Sequence, residues 1–210
     1  MSNFGQQKTS FMHFKKRLIV NVGVLVVIAL SVAAKLPHQQ GPQGNLSAQT
    51  PVTRSAITFG IKNLGINTEG SISGLVAKVN FAPANLSASS IEASVDVNTI
   101  NTDNSSRDEH LRSGDFFDVA RYPKISLKSV AFRHKSGNNY IGTFTLTIKD
   151  KSKQIEMPFT FLDKDNTIGF KGAFKINRLD FGVGSESMIL SNDVTVNIDC
   201  EGGKQVSAQI

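Results

Sequence analysis

Residues 140–148 read YIGTFTLTI: Tyr140, Phe144, Leu146 and Ile148 fall on one parity, and threonines 143, 145 and 147 on the other. In an extended chain this puts the bulky side chains on one face and the hydroxyls on the opposite one, the pattern of a strand half in a core and half in water. The same period runs in both directions from here. Downstream, Ile155, Met157, Phe159 and Phe161 alternate with Glu156, Pro158 and Thr160, and Ile168, Phe170, Phe174 and Ile176 with Lys171, Ala173 and Lys175. Val194, Val196, Ile198 and Cys200 share the last apolar face. Upstream, the apolar sets are Ile125 and Leu127; Ile91, Ala93, Val95 and Val97; Leu75, Ala77, Val79 and Phe81; and Ile57, Phe59 and Ile61. Turn-forming runs fill the gaps, among them Asn67–Gly70, Ser136–Asn139, Lys149–Lys153 and Asp163–Asn166.

This predicts about eight strands, each with one apolar face, which must bury those faces against one another. A sandwich and a closed barrel both do so, and alternation does not choose between them. The inward sets are long and bulky in every run, and an eight-stranded barrel has room either to fill itself or to hold one ligand.

One connection is too rich to be a plain loop. RDEHLRSGDFFDVARYP, 107–123, follows Ser106, whose hydroxyl is placed to cap a short helix, with Glu109 three residues on to complete a capping box. Gly114 offers a left-handed stop, and Phe116 and Phe117 add apolar mass. The segment reads as a plug pressed onto one end or side of the sheet.

Residues 1–34 carry Lys8, Lys15, Lys16 and Arg17 and no acid, then an apolar run from Leu18 to Leu30, then Ser31-Val32-Ala33-Ala34. This is the build of a secretory signal peptide, cleaved after Ala33 or Ala34, with an uncleaved N-terminal anchor as the alternative. No cysteine follows the run to accept a lipid. Residues 35–50 are rich in Gln, Gly and Pro and read as a flexible linker, leaving 51–210 as the globular part. The formal charge of +6 belongs largely to the leader: without its four basic residues, 19 basic stand against 17 acidic. A nearly neutral domain without a basic cluster has no electrostatic footprint for nucleic acid.

Catalytic patterns are missing. Cys200 is the single cysteine and lies on an apolar face, which suits a buried structural thiol. His110 and His134 are too few and too far apart for a metal site, so neither metal nor cofactor is expected. Ser105, Ser106, Asp108 and His110 crowd one short helix, where side chains do not converge as a triad must. Gly182-Val183-Gly184 lacks a third glycine and a following helix. Arg178 with Asp180, and Arg107 with Asp108, read as ion pairs or backbone ties that fix a turn, in preference to ligand contacts.

Several phrases in order carry a family resemblance over residues 53–202: Ser55-x-Ile57-Thr58-Phe59 with Asn63-Leu64-Gly65; Gly70 to Gly74; Ile100-Asn101-Thr102, then Arg107-Asp108-x-His110-Leu111, Phe116-Phe117-Asp118 and Tyr122-Pro123-Lys124-Ile125; Gly142-x-Phe144-Thr145-Leu146-Thr147-Ile148; and Asn177-Arg178-x-Asp180-Phe181-Gly182. The chain resembles the YceI family of exported lipid-binding proteins. The resemblance implies an all-β fold, an eight-stranded antiparallel lipocalin-like β-barrel with one or two short helices, and a non-enzymatic role. The interior would hold a polyisoprenoid or other long apolar lipid. The residues expected to line it are Phe59, Ile61, Leu75, Val79, Phe81, Val95, Leu127, Phe144, Leu146, Phe159, Phe170 and Phe174, with Phe116 and Phe117 gating the entrance. Arg54 stands where the family usually has histidine, and Lys149-Asp150 where it has His-Gly, which leaves the preferred head group open. The expected location is periplasmic, near the membrane, with a homodimer as an open option. The rival readings are a stress-related accessory or protein-interaction module with a filled barrel, and a lipid-modifying enzyme.

Overall fold

The computed structural model describes residues 49–204. The expected leader or anchor at 1–34 lies outside the described residues, as does the linker at 35–50 apart from its last two residues. Thr50 already belongs to the fold: it is buried, its N–H donates to Ala77 O at 2.8 Å, and its hydroxyl accepts from Val79 N at 3.0 Å.

Eight strands follow: β1 (Val52–Asn63), β2 (Ile66–Asn80), β3 (Ser90–Asn101), β4 (Lys124–Ser136), β5 (Asn139–Ile148), β6 (Lys151–Lys164), β7 (Thr167–Asn177) and β8 (Leu190–Gly203). Each pairs antiparallel with the next, and β1 pairs with β8, from Val52↔Gly202 to Asn63↔Leu190. The sheet therefore closes, which decides for the barrel over the sandwich. One α-helix, α1 (Ser105–Arg112), and two 3-10 turns, Leu86–Ala88 and Arg178–Phe181, complete the described elements.

Antiparallel order sends successive connections to opposite ends. The β1–β2, β3–β4, β5–β6 and β7–β8 connections share one end, which α1 covers and which is here termed the plugged end. The other three connections lie at the far end, where the described chain also enters and leaves.

Two bulges shift the inward phase within a strand. In β2 the register with β3 slips on either side of Ser73, where Gly74 takes φ +72°. The slip lets Ile72 point inward although Leu75, Ala77 and Val79 do so on the opposite parity. In β4 the shift between Ser129 and Ala131 turns Phe132 inward and leaves Val130 exposed.

Two inward rings lie across glycines on the wall. A Cβ on Gly142 would stand 2.3 Å from Phe144 Cε2, and one on Gly70 would stand 2.4 Å from Phe59 Cζ. The missing side chains make room for the rings to lie flat, as aromatics do over strand glycines. Gly142→Ala is expected to force Phe144 from its place and cost about 1–3 kcal/mol. Gly60→Ala, with nothing within 4 Å of its Cβ, should cost far less. Urea midpoints of the two variants, at unchanged slope, check this.

Candidate functional site

The barrel holds a chamber of about 410 Å³, within the range of cavities that enclose small-molecule ligands. All eight strands contribute to its wall: Phe59 and Ile61 from β1, Leu75 and Val79 from β2, Val95 from β3, Leu127 from β4, Phe144 and Leu146 from β5, Phe159 from β6, Phe170 and Phe174 from β7, and Val196 and Ile198 from β8. Phe116 and Phe117 cover it from the plugged end. The structure thus brings these expected residues around one space.

Phe81 is a correction. It follows the last residue of β2, where the chain has left the strand, and it does not line the chamber. Its ring forms the centre of a floor at the far end, edge-on to Phe132, Tyr140, Phe159 and Phe170 at centroid separations of 5.2, 5.1, 5.6 and 5.8 Å, and tilted against Phe161 at 4.8 Å. Edge-to-face aromatic contact favours such a cluster beyond its area burial, so the floor is closed by packing.

Alternation extended across the bulges also misses Ile72, and Gly74 is the one sequence mark of the shift. The polar lining was foreseen only as the less favoured reading of Arg107 and Arg178. Asn63, Thr68, Thr102, Arg107, His110 and Arg178 line the chamber, and all belong to the plugged end. The chamber surface is thus almost wholly apolar, with Ser94 and Ser126 on the wall and the remaining polar side chains grouped beneath the plug.

The plug is tied down through Thr102 and Arg112. Asp108, only 7% exposed, accepts from Thr102 N at 2.9 Å and Thr102 Oγ1 at 2.6 Å. Arg107 Nε donates to Thr102 Oγ1 at 2.8 Å and its Nη2 to Thr102 O at 2.7 Å. Arg112 donates from Nε to Asn98 O and from Nη2 to Ile100 O. The end of β3 and the helix are thereby one unit, and the acid that a triad would need is spent on a threonine.

The helix ends also differ from expectation. Asn104, in place of Ser106, is the N-cap, its side chain accepting from Arg107 N at 3.0 Å. Asparagine caps as well as serine does, and it stands nearer the turn that leaves β3, so the helix starts before Ser106 can cap it. Gly114 does not supply the stop: its φ is not positive, and Ser113 ends the helix through its N–H and hydroxyl, both donating to His110 O. The reversal beyond is made by Asp118 at φ +50°.

Arg178 holds the second long connection. It is 3% exposed and donates to the carbonyls of Ser191, Val183 and Ser185 at 2.9, 2.9 and 2.8 Å, and to Asn192 Oδ1 at 3.1 Å. Among the described residues it has no carboxylate partner, so backbone ties, and not an ion pair with Asp180, fix this turn. Burial pulls its pKa below the usual arginine value. Cys200 lines the chamber, where burial first and neighbouring Asp199 second push its thiol up to about 11. It is a protonated, unreactive part of the wall at neutral pH.

With this geometry in place, comparison with known proteins gives a consistent answer. The sequence profile of the YceI-like domain matches residues 49–202. The chain belongs to the YceI-like family. A UPF0312 protein of Vibrio cholerae is 25% identical over 194 residues, 89% of this chain and 98% of that one. One from Pectobacterium atrosepticum is 28% identical over 156 residues, 71% of this chain and 81% of the relative. Among solved structures, Burkholderia cenocepacia BcnA superposes with a TM-score of 0.67 at 27% identity, covering 70% of this chain and 96% of BcnA. A polyisoprenoid-binding domain of Saccharophagus degradans shares the fold, with a TM-score of 0.61 at 14% identity over 75% of this chain and 98% of that domain.

The two departures from the YceI pattern are placed by the structure. Arg54 does not line the chamber; on the outside of the seam its Nη2 donates to Asp199 Oδ1 at 2.6 Å and Glu201 Oε1 at 3.0 Å. Lys149, at φ +56° in the β5–β6 turn, donates from Nζ to Phe116 O at 2.9 Å and Gly182 O at 3.0 Å. It joins the plug to the β7–β8 connection. In this YceI-like barrel Asn104→Ala should cost about 1 kcal/mol, whereas Ser106→Ala should leave stability nearly unchanged. Thermal melts of the pair check the cap assignment.

Proposed function

We propose that the protein is an exported, non-enzymatic carrier that holds one long apolar chain, a polyisoprenoid or a similar lipid, inside the barrel. The observation that carries this is the chamber itself, apolar in its body and walled by all eight strands. A barrel filled by its own side chains, the alternative role in protein interaction, does not keep such a space. The mechanism is passive: each methylene moved from water into the chamber contributes about 0.8 kcal/mol, so length gives affinity without directional contacts. The fold shared with the polyisoprenoid-binding domain of S. degradans agrees with this ligand class.

Holding is favoured over lipid modification by what the ionisable lining does. Arg107 and Arg178 spend their donors on Thr102 and on backbone carbonyls, His110 is largely exposed beside Asp115 with its ring edge-on to Phe116, and the Cys200 thiol is held protonated. Export is part of the proposal and rests on the pattern of residues 1–34. Sequencing of the mature N-terminus should begin at Ala34 or Lys35; full-length protein in the membrane fraction would speak for the anchor.

Organic extraction and mass spectrometry of protein from its native host should release a long-chain lipid. In vitro, affinity should rise with prenol length and then level off when the chamber is full. Leu127→Asp puts an unpaired carboxylate into the apolar wall and should abolish binding. A variant that stays folded by circular dichroism and binds as before would sink the carrier reading. Phe116→Ala with Phe117→Ala should speed ligand release far more than it lowers the melting temperature; the reverse outcome makes the pair core packing only.

A further inference from the structure

Six large apolar side chains are strongly exposed among the described residues. Val76 and Val130 stand singly beside the two bulges. The other four gather at one spot on the plugged end: Leu64 in the β1–β2 turn and Ile66 at the start of β2, 69% and 70% exposed, and Met188 and Ile189 in the β7–β8 connection, 104% and 54% exposed. Leu64 N donates to Ile189 O at 2.8 Å, which links turn tip and loop.

Stability does not explain these residues. Leu64 and Gly65 form a two-residue hairpin turn at φ +50° and +79°, where asparagine is the favoured first residue and leucine is costly. A solvent-facing leucine there gains nothing locally. The patch is also continuous with the chamber: Asn63 and Leu190 line it, and their chain neighbours Leu64 and Ile189 are on the surface. Leu190 borders both the chamber and a shallow groove whose apolar side is Met188 and Ile189 and whose other walls are Lys62, Gly65, Ser187, Ser191 and Asn192. At this seam Asn63 Oδ1 is buried without a hydrogen-bond partner. Four such side chains present a few hundred Å², a functional patch in size but short of the ~800 Å² per partner of a stable protein interface. Shallow insertion at the boundary of head groups and acyl chains needs no more than this, and Lys62, which makes no ion pair among the described residues, suits the phosphate layer beside it.

We infer that Leu64, Ile66, Met188 and Ile189 form a bilayer-docking rim, which sets the plugged end of the barrel into a lipid surface so that the ligand passes between membrane and chamber without crossing water. The inference builds on the carrier reading, and its test separates the two. The chain has no tryptophan, so Met188→Trp and, at the far end, Asn138→Trp each give a single indole reporter in the full chain. Any attachment through residues 18–34 joins the described chain at the far end, on the side of Asn138, and so does not imitate insertion at position 188. With phosphatidylcholine vesicles, emission from the Met188→Trp variant should move to the blue and be quenched at least twofold by brominated acyl chains, while that from Asn138→Trp stays unchanged. No change at position 188, equal quenching at both positions, or a blue shift that follows protein concentration without vesicles overturns the docking rim, the last because a second copy covers it. Leu64→Asn with Met188→Ser, which keeps the turn, should slow prenol uptake from vesicles about tenfold and leave the amount bound from detergent unaltered; an unaltered rate overturns the inference. If the unsubstituted chain takes up no prenol and the reporter at position 188 still inserts, docking stands and the carrier reading falls.

Discussion

The pairing of β1 with β8 is the constraint on which the rest of the molecule depends. An open eight-stranded sheet would expose two rows of unpaired amides and carbonyls and could roll to any width. Closure removes both edges and ties strand number to diameter, and so fixes how far apart opposite walls stand. On the outside of this seam Arg54 reaches Asp199 and Glu201, and Lys171 reaches Asp199 at 3.1 Å. Hydrogen bonds from Arg54 hold both carboxyls below their ordinary range. These groups face water, so the backbone ladder carries the closure and the ion pairs only decorate it.

Given that width, the side chains decide between a filled and a hollow interior. At the far end six aromatic rings meet and close the floor. Higher up, Phe144 and Phe59 lie flat over glycines, and flat rings take less of the central space than rings aimed across it. The hollow is therefore a consequence of where glycine and phenylalanine share a wall. At the plugged end the two long connections are held by polar ties, Asp108 and Arg107 on Thr102 in one and Arg178 on three carbonyls in the other, with Lys149 bridging them.

Much of this was legible in the sequence, because period-two alternation is a direct record of which side chains face inward. The eight strands and their inner faces followed from it, and the plug from a capping pattern beside paired phenylalanines. What it lost, it lost where the period itself breaks. Ile72 and Phe132 lie beyond bulges that swap parity, and Phe81 stands just after its strand has ended. The Asn104 cap was hidden by an equally good candidate two residues on. The polar roof was legible only in part: backbone ties from Arg178 were expected, whereas Thr102 has its role only through the Asp108 carboxylate and Arg107 guanidinium that the fold brings to it.

The strand count has one more consequence. Eight is even, so the chain enters and leaves the barrel on the same side, beside the aromatic floor, and both long connections fall on the opposite side. The two ends of the described chain therefore form one handle at the base of the vessel, on the side away from its roof. Loops on the roof can vary in length or tip chemistry without passing strain to the point of attachment. The fold thus separates the handle from the lid by parity alone.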